Sequence, residues 1–201
     1  MKKNKVLSAT YFQQEDVVGM AKDLIGKVLV TEFEGKKTSG IIVETEAYTG
    51  INDKAAHSYD GKRTARTEVM YQPGGVSYVY LCYGIHHLFN IVTNKKDIPQ
   101  AILIRALEPL EGIPVMMQRR KKVKADYSLT RGPGSVAGAL GLNRNHSGLI
   151  LGKAPIYVED RGIIIPSAAI CSGARIGVAY AGKDALLPYR FWAIGNPYVS
   201  K

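Results

Sequence analysis

The chain has 201 residues, 46% of them hydrophobic and 22% charged, a balance that fits one folded domain over residues 1–201 and excludes disordered, collagen-like and disulfide-scaffold classes. No apolar run approaches the roughly 18 residues of a membrane span, and Met1 to Tyr11 lacks a secretory apolar segment, so no membrane association and a cytoplasmic location are expected. The formal charge of +10 points to a polyanionic partner.

In chain order, Val17, Val18, Ala21 and Leu24 recur at helical spacing and Gly26 follows as a stop, which predicts a helix over Glu15 to Leu24. Val28 to Phe33 is β-branched, Glu34-Gly35-Lys36-Lys37 reads as a turn, and Ser39 to Tyr48 resumes the strand pattern, which predicts a β-hairpin. A second pair, Ser77 to Tyr83 and Leu88 to Thr93, turns at Gly84, and Ala101 to Ala106 supplies another apolar strand. Helices are predicted at Glu111 to Lys122 and, after Gly132-Pro133, at Ser135 to Leu140; short strands are predicted near Ile156, Ile164, Ile176 and Phe191. The glycines and prolines scatter as turn punctuation without linker or repeat. The fold class is α+β, one domain on mostly antiparallel strands.

The charge is concentrated. Between Gly61 and Arg131 twelve Lys and Arg stand against five Asp and Glu. Part of this, the run Arg119 to Lys124, is equally well read as the cation-favouring end of a helix, but the remainder is not explained that way. If about six cations touched phosphates, affinity would fall by roughly three decades over a fourfold rise in salt.

Strand periodicity places Glu44, Glu46 and Tyr48 on one face after a buried apolar start. Such paired carboxylates supply general bases, although a solvated acidic edge strand has the same pattern. Tyr78 and Tyr80 share a face, with Tyr83 nearer the tip beside Gly84; an exposed aromatic among cations can wedge into a base stack, whereas cross-strand tyrosine pairing is the plainer account. His86 and His87 point to opposite faces and His57 and His146 have no partners at metal spacing, so neither metal nor cofactor is expected. Cys82 and Cys171 are read as reduced and buried. Gly132-Pro133-Gly134-Ser135 leads into a helix whose first amides could hold a phosphate, or is simply a helix start.

Several of these segments stand together in a known order. Ile42-Val43-Glu44-Thr45-Glu46-Ala47-Tyr48, Ala55-Ala56-His57-Ser58, Tyr78-Val79-Tyr80 through Tyr83-Gly84, Asn90-Ile91, Arg105-Ala106-Leu107-Glu108-Pro109-Leu110-Glu111-Gly112 and Arg175-Ile176-Gly177-Val178 resemble the alkyladenine (3-methyladenine, methylpurine) DNA glycosylases over about Asp23 to Ser200. The resemblance implies a curved antiparallel sheet with flanking helices and a protruding β-hairpin. It implies a monofunctional enzyme of base excision repair, a monomer acting on double-stranded DNA that contains damaged purines and associating with the nucleoid when bound. It further implies that Glu46 activates water, that Arg105 holds Glu46 and that water, and that Tyr48, His57 and Tyr80 bracket the extruded base. Tyr83 would fill the gap in the duplex with Met70 beside it, and Asn90 would disfavour guanine. Two basic positions of the family are Glu68 and Ser135 here, which puts phosphate contacts in those loops in question. A non-catalytic nucleic-acid-binding module and a hydrolase of free nucleosides remain the alternatives.

Overall fold

A computed structural model describes residues 4–200 of the chain. Its frame is one curled sheet of nine strands, β1 (Lys5–Val6), β2 (Val28–Phe33), β3 (Lys36–Tyr48), β4 (Val76–Cys82), β5 (His86–Thr93), β6 (Gln100–Glu111), β7 (Ile156–Asp160), β8 (Ile170–Gly173) and β9 (Arg190–Ala193). The order is β1-β7-β2-β3-β6-β5-β4, with β9 joined to β3 and β8 to β9, and all of these strand pairs are antiparallel. Three α-helices, α1 (Val17–Asp23), α2 (Ile113–Arg119) and α3 (Pro133–Leu140), flank the sheet. The α+β architecture agrees with the sequence.

The two hairpins form for reasons visible in the chain. Glu34 and Gly35 both take positive φ (53° and 70°), which makes the β2–β3 turn a tight one whose twist matches its strands. At the β4–β5 tip, Tyr83 and Gly84 do the same (49° and 72°); glycine adopts this freely, while a left-handed tyrosine costs roughly 1 kcal/mol. Asp16 caps α1 by accepting from the Gly19 amide at 2.8 Å. Pro133 opens α3 and a left-handed Gly141 closes it.

β3 is the spine of the molecule. Its first half pairs with β2, its second half with β9, and β6 runs along nearly its whole length. Thr45 turns to the core, where its hydroxyl donates to the Ala21 carbonyl of α1 at 2.7 Å, so by alternation Glu44 and Glu46 turn the other way. Between Ile42 and Thr45 the register slips twice: Val43 is extra on β3 and Arg105 is extra on β6. The bulge aims Arg105 out of the ladder.

Four expectations need correction. Ile164 and Ile176 lie outside strands: the Ile163-Ile164-Ile165 run reaches Pro166, which cannot donate to a ladder, and the Ile176 amide is used elsewhere. β1 and β8, short edge strands of two and four residues, carry too little pattern to be seen in the chain. α2 is shorter than expected because Glu111 ends β6 and a left-handed Gly112 must reverse the chain first. Cys82 and Cys171 are free but only half-buried, one near the hairpin tip and the other on β8.

Candidate active site

The two carboxylates of β3 are fully buried rather than solvated, because β3 is central and not an edge. They are held differently. Glu44 is the more heavily bonded: at Oε1 it accepts from Arg105 Nε (3.1 Å), Arg190 Nε (2.7 Å) and the Ser200 hydroxyl (2.7 Å), and at Oε2 from the Ser200 amide (2.7 Å). Glu46 accepts at Oε1 from the Ile176 amide (2.8 Å), where Arg105 Nη1 also stands as an ion-pair partner at 3.1 Å, and at Oε2 from the Tyr48 hydroxyl (2.8 Å). The Oε2 atom of each acid thus has one donor among the described residues and keeps acceptor capacity. Burial, then the charge and hydrogen bond of Glu46, hold the Tyr48 hydroxyl well above its ordinary pKa, so it stays a proton donor to that carboxylate.

Tyr48, Arg105 and Ile176, the three partners of Glu46, all line a cavity of about 570 Å3. The cavity is walled by rings: Tyr48, His57, Tyr78, Tyr80, Tyr83 and Tyr180, with Asn90, Met70 and Arg66 among the remaining contacts. His57 meets Tyr80 edge-on, ring centres 4.5 Å apart, and its Nδ1 shares a 2.7 Å hydrogen bond with the Tyr78 hydroxyl. Tyr78 and Tyr80 stack at 5.4 Å along one face of β4; their cross-strand partners are Asn90 and Leu88, so the plainer account, cross-strand tyrosine pairing, does not hold. Asn90 is fixed by donating to the Tyr78 carbonyl at 3.1 Å.

Burial, then the nearby Arg66 charge, pushes the His57 imidazole down to about 4, and it is neutral at physiological pH. Because the unfolded chain takes up this proton near pH 6.5 and the folded chain only near pH 4, stability present above pH 6.5 is lost as pH falls between those values. His57→Gln is therefore expected to flatten the fall in thermal midpoint across that window, by on the order of 2 to 3 kcal/mol in unfolding free energy. Parallel curves for the two proteins would show that His57 does not titrate this way.

Tyr83 stands at the hairpin tip, 89% exposed, with Ile85 beside it at 71%. Met70, 2% exposed, packs with Val76, Tyr78, Val92 and Ala101 and lines the same cavity as Tyr83. Charge counting also overstated the free cations. Arg63 is locked to Glu68 and Asp97. Arg119 folds back on Thr38 and the Ala139 carbonyl, Arg120 donates to Ser135 at 3.0 Å, and Lys122 pairs with Asp126. The two departures from the family pattern thus each lie against an arginine, Glu68 at Arg63 and Ser135 at Arg120.

Sequence reasoning missed four contributors: Asp53, which grips Arg175 behind Tyr48; the Ile176 amide on Glu46; Tyr78, which orients His57; and Ser200, which clamps Glu44. Tyr78 and Arg175-Ile176 left a signal, as parts of motifs whose contacts no periodicity could reveal.

A buried carboxylate whose partners line a ring-walled cavity, beside an exposed aromatic hairpin on a basic protein, makes a candidate active site with room for a flat ring against its aromatic walls. Residues 11–197 match the profile of the family described as Methylpurine-DNA glycosylase (MPG). Relatives include proteins provisionally named 3-methyladenine DNA glycosylase from Chlamydia felis, 45% identical over 92% of this chain and 95% of that one, and from Desulfitobacterium hafniense, 45% identical over 94% and 96%. One from Bacillus cereus strain G9842 is 45% identical over 94% and 97%. The chain belongs to the methylpurine-DNA glycosylase family, DNA repair enzymes that process alkylated bases.

Proposed function

We propose that the whole chain acts as one monomeric glycosylase unit that removes 3-methyladenine, 7-methylguanine, hypoxanthine and ethenoadenine from double-stranded DNA in the cytoplasm, with no cofactor. The observation that carries this reading is the Glu46 carboxylate, held by two hydrogen bonds and an ion pair to three groups that line the ring-walled cavity.

The target atom is inaccessible inside a duplex, so the nucleotide swings out. Tyr83, held outward at the β4–β5 tip, fills the space it leaves. The base enters between Tyr48 and the His57–Tyr80 pair, where stacking contributes about 1 to 3 kcal/mol, and Asn90 crowds the position of a guanine amino group. As the C1′–N bond breaks, positive charge grows on the sugar. Glu46 stabilises it and takes the proton of a water whose oxygen bonds to C1′, with Arg105 fixing both carboxylate and water. A cationic alkylpurine departs as a neutral base, whereas a neutral lesion departs with the electron pair of the broken bond as an anion that takes a proton from water. The reacting groups include no lysine amine, so no Schiff base forms and the strand stays intact.

The test is release of free base from duplexes carrying each lesion, with strand breaks appearing only after alkali. Tight binding without release would instead identify a non-catalytic module, and release from free nucleosides that persists at high salt would identify a nucleoside hydrolase. Tyr83→Ser is expected to cut the 2-aminopurine fluorescence rise beside a lesion while leaving the thermal midpoint in place; an undiminished rise would exclude the wedge role.

A further inference from the structure

On the side of Tyr48 away from the cavity lies a buried ion pair that the chemistry above does not use. Arg175 is 5% exposed and Asp53 1%. Arg175 Nη2 donates to Asp53 Oδ1 at 2.8 Å and Nη1 to Oδ2 at 2.5 Å, while the same nitrogens also reach the Asp184 carbonyl (3.1 Å) and the Ala47 carbonyl (2.9 Å). Its Nε has no hydrogen-bond partner among the described residues. Instead the guanidinium lies over the Tyr48 ring, 4.8 Å from its centre, with the Tyr189 ring at 5.4 Å. Tyr48 lines the cavity and Arg175 does not.

A ring presents negative potential on both faces, and whatever sits behind it adds its own field to the face in front. A base stacked on the open face of Tyr48 would hold its charge on the order of 8 Å from the guanidinium. A bare guanidinium there repels a cationic base. The two Asp53 oxygens cancel it, and the charges behind the cavity balance: Glu44, Glu46 and Asp53 against Arg105, Arg190 and Arg175.

We propose that Asp53 is a specificity-determining residue, which by neutralising Arg175 behind Tyr48 allows the cavity to accept positively charged alkylpurines as well as neutral bases. This rests on the reading of Tyr48 as a ring against which the extruded base stacks. Neither Asp53 nor Arg175 touches the base; both are positioning residues acting through Tyr48. A neutral lesion carries no charge when it stacks and gains negative charge only as its bond breaks, so an uncancelled guanidinium does not oppose its entry and it serves as the comparison.

The experiment compares single-turnover release of 7-methylguanine, a cation, with release of hypoxanthine from matched duplexes by the full-length protein. Asp53→Asn is expected to lower the ratio of the two rates by between about fivefold and thirtyfold, the range set by effective dielectric constants of about 40 and 20 at that separation. Arg175→Gln, which leaves Asp53 uncancelled, is expected to raise the ratio, and the double variant to return it toward wild type. A purely structural pair would slow both lesions in equal proportion, so an unchanged ratio in either single variant overturns the proposal. Should Asp53→Asn not fold, the rise in Arg175→Gln decides. A wild-type protein that releases neither base would overturn the base-excision reading, and this inference with it.

Discussion

Glu46→Gln is expected to release a methylated purine at least about a hundredfold more slowly than wild type, the scale of a lost general base, while binding the same duplex within a few-fold. The amide fits the same space. Its oxygen still accepts from the Ile176 amide and Arg105, and Arg105 keeps Glu44 as a charged partner, so the fold and the hairpin remain. What disappears is the proton acceptor and the negative charge facing the developing sugar cation. Single-turnover release measured beside duplex affinity and thermal midpoint separates these effects. Release within tenfold of wild type would move the chemistry to another group.

The neighbouring acid is expected to behave in the opposite way. Glu44→Ala leaves the buried Arg105 and the partly buried Arg190 guanidiniums beside an empty space and removes two of the four hydrogen bonds of Ser200, which keeps those from Arg105 Nη2 and Arg190 Nη2. Uncompensated buried charge costs about 3 to 5 kcal/mol, which for a chain of this size lowers the thermal midpoint by roughly 10 °C. Release also falls, because Arg105 loses the carboxylate that fixes its Nε, and the gentler Glu44→Gln should recover much of the midpoint. A midpoint within about 2 °C of wild type in Glu44→Ala would show that the other partners of Arg105 and Arg190 suffice.

The difference between these two acids was not legible in the chain. Alternation placed both on one face correctly, but which is the more heavily bonded depends on Arg105, Arg190 and Ser200, brought in from 61, 146 and 156 residues away. The bulges at Val43 and Arg105 that bring the guanidinium to both carboxylates have no sequence signature either, since a bulge is a property of the pairing and not of one strand. Local features were readable: the β2–β3 hairpin, the β4–β5 hairpin and α1 each follow from spacing and turn residues within their own segment. Charge was readable only in sum. Arg63, Arg119 and Arg120 count toward a basic surface in the sequence, yet in the fold each is committed to an internal partner.

The clamp at Ser200 bears on how the site is held from outside. Arg190 and Ser200 are not among the residues that line the cavity, yet they supply three of the four hydrogen bonds of Glu44, and Ser200 also accepts from Arg105 Nη2 at 3.4 Å and, at its carbonyl, from Arg190 Nη2 at 3.0 Å. A change at Ser200 would therefore loosen the acid that fixes Arg105 Nε without altering a single wall of the cavity.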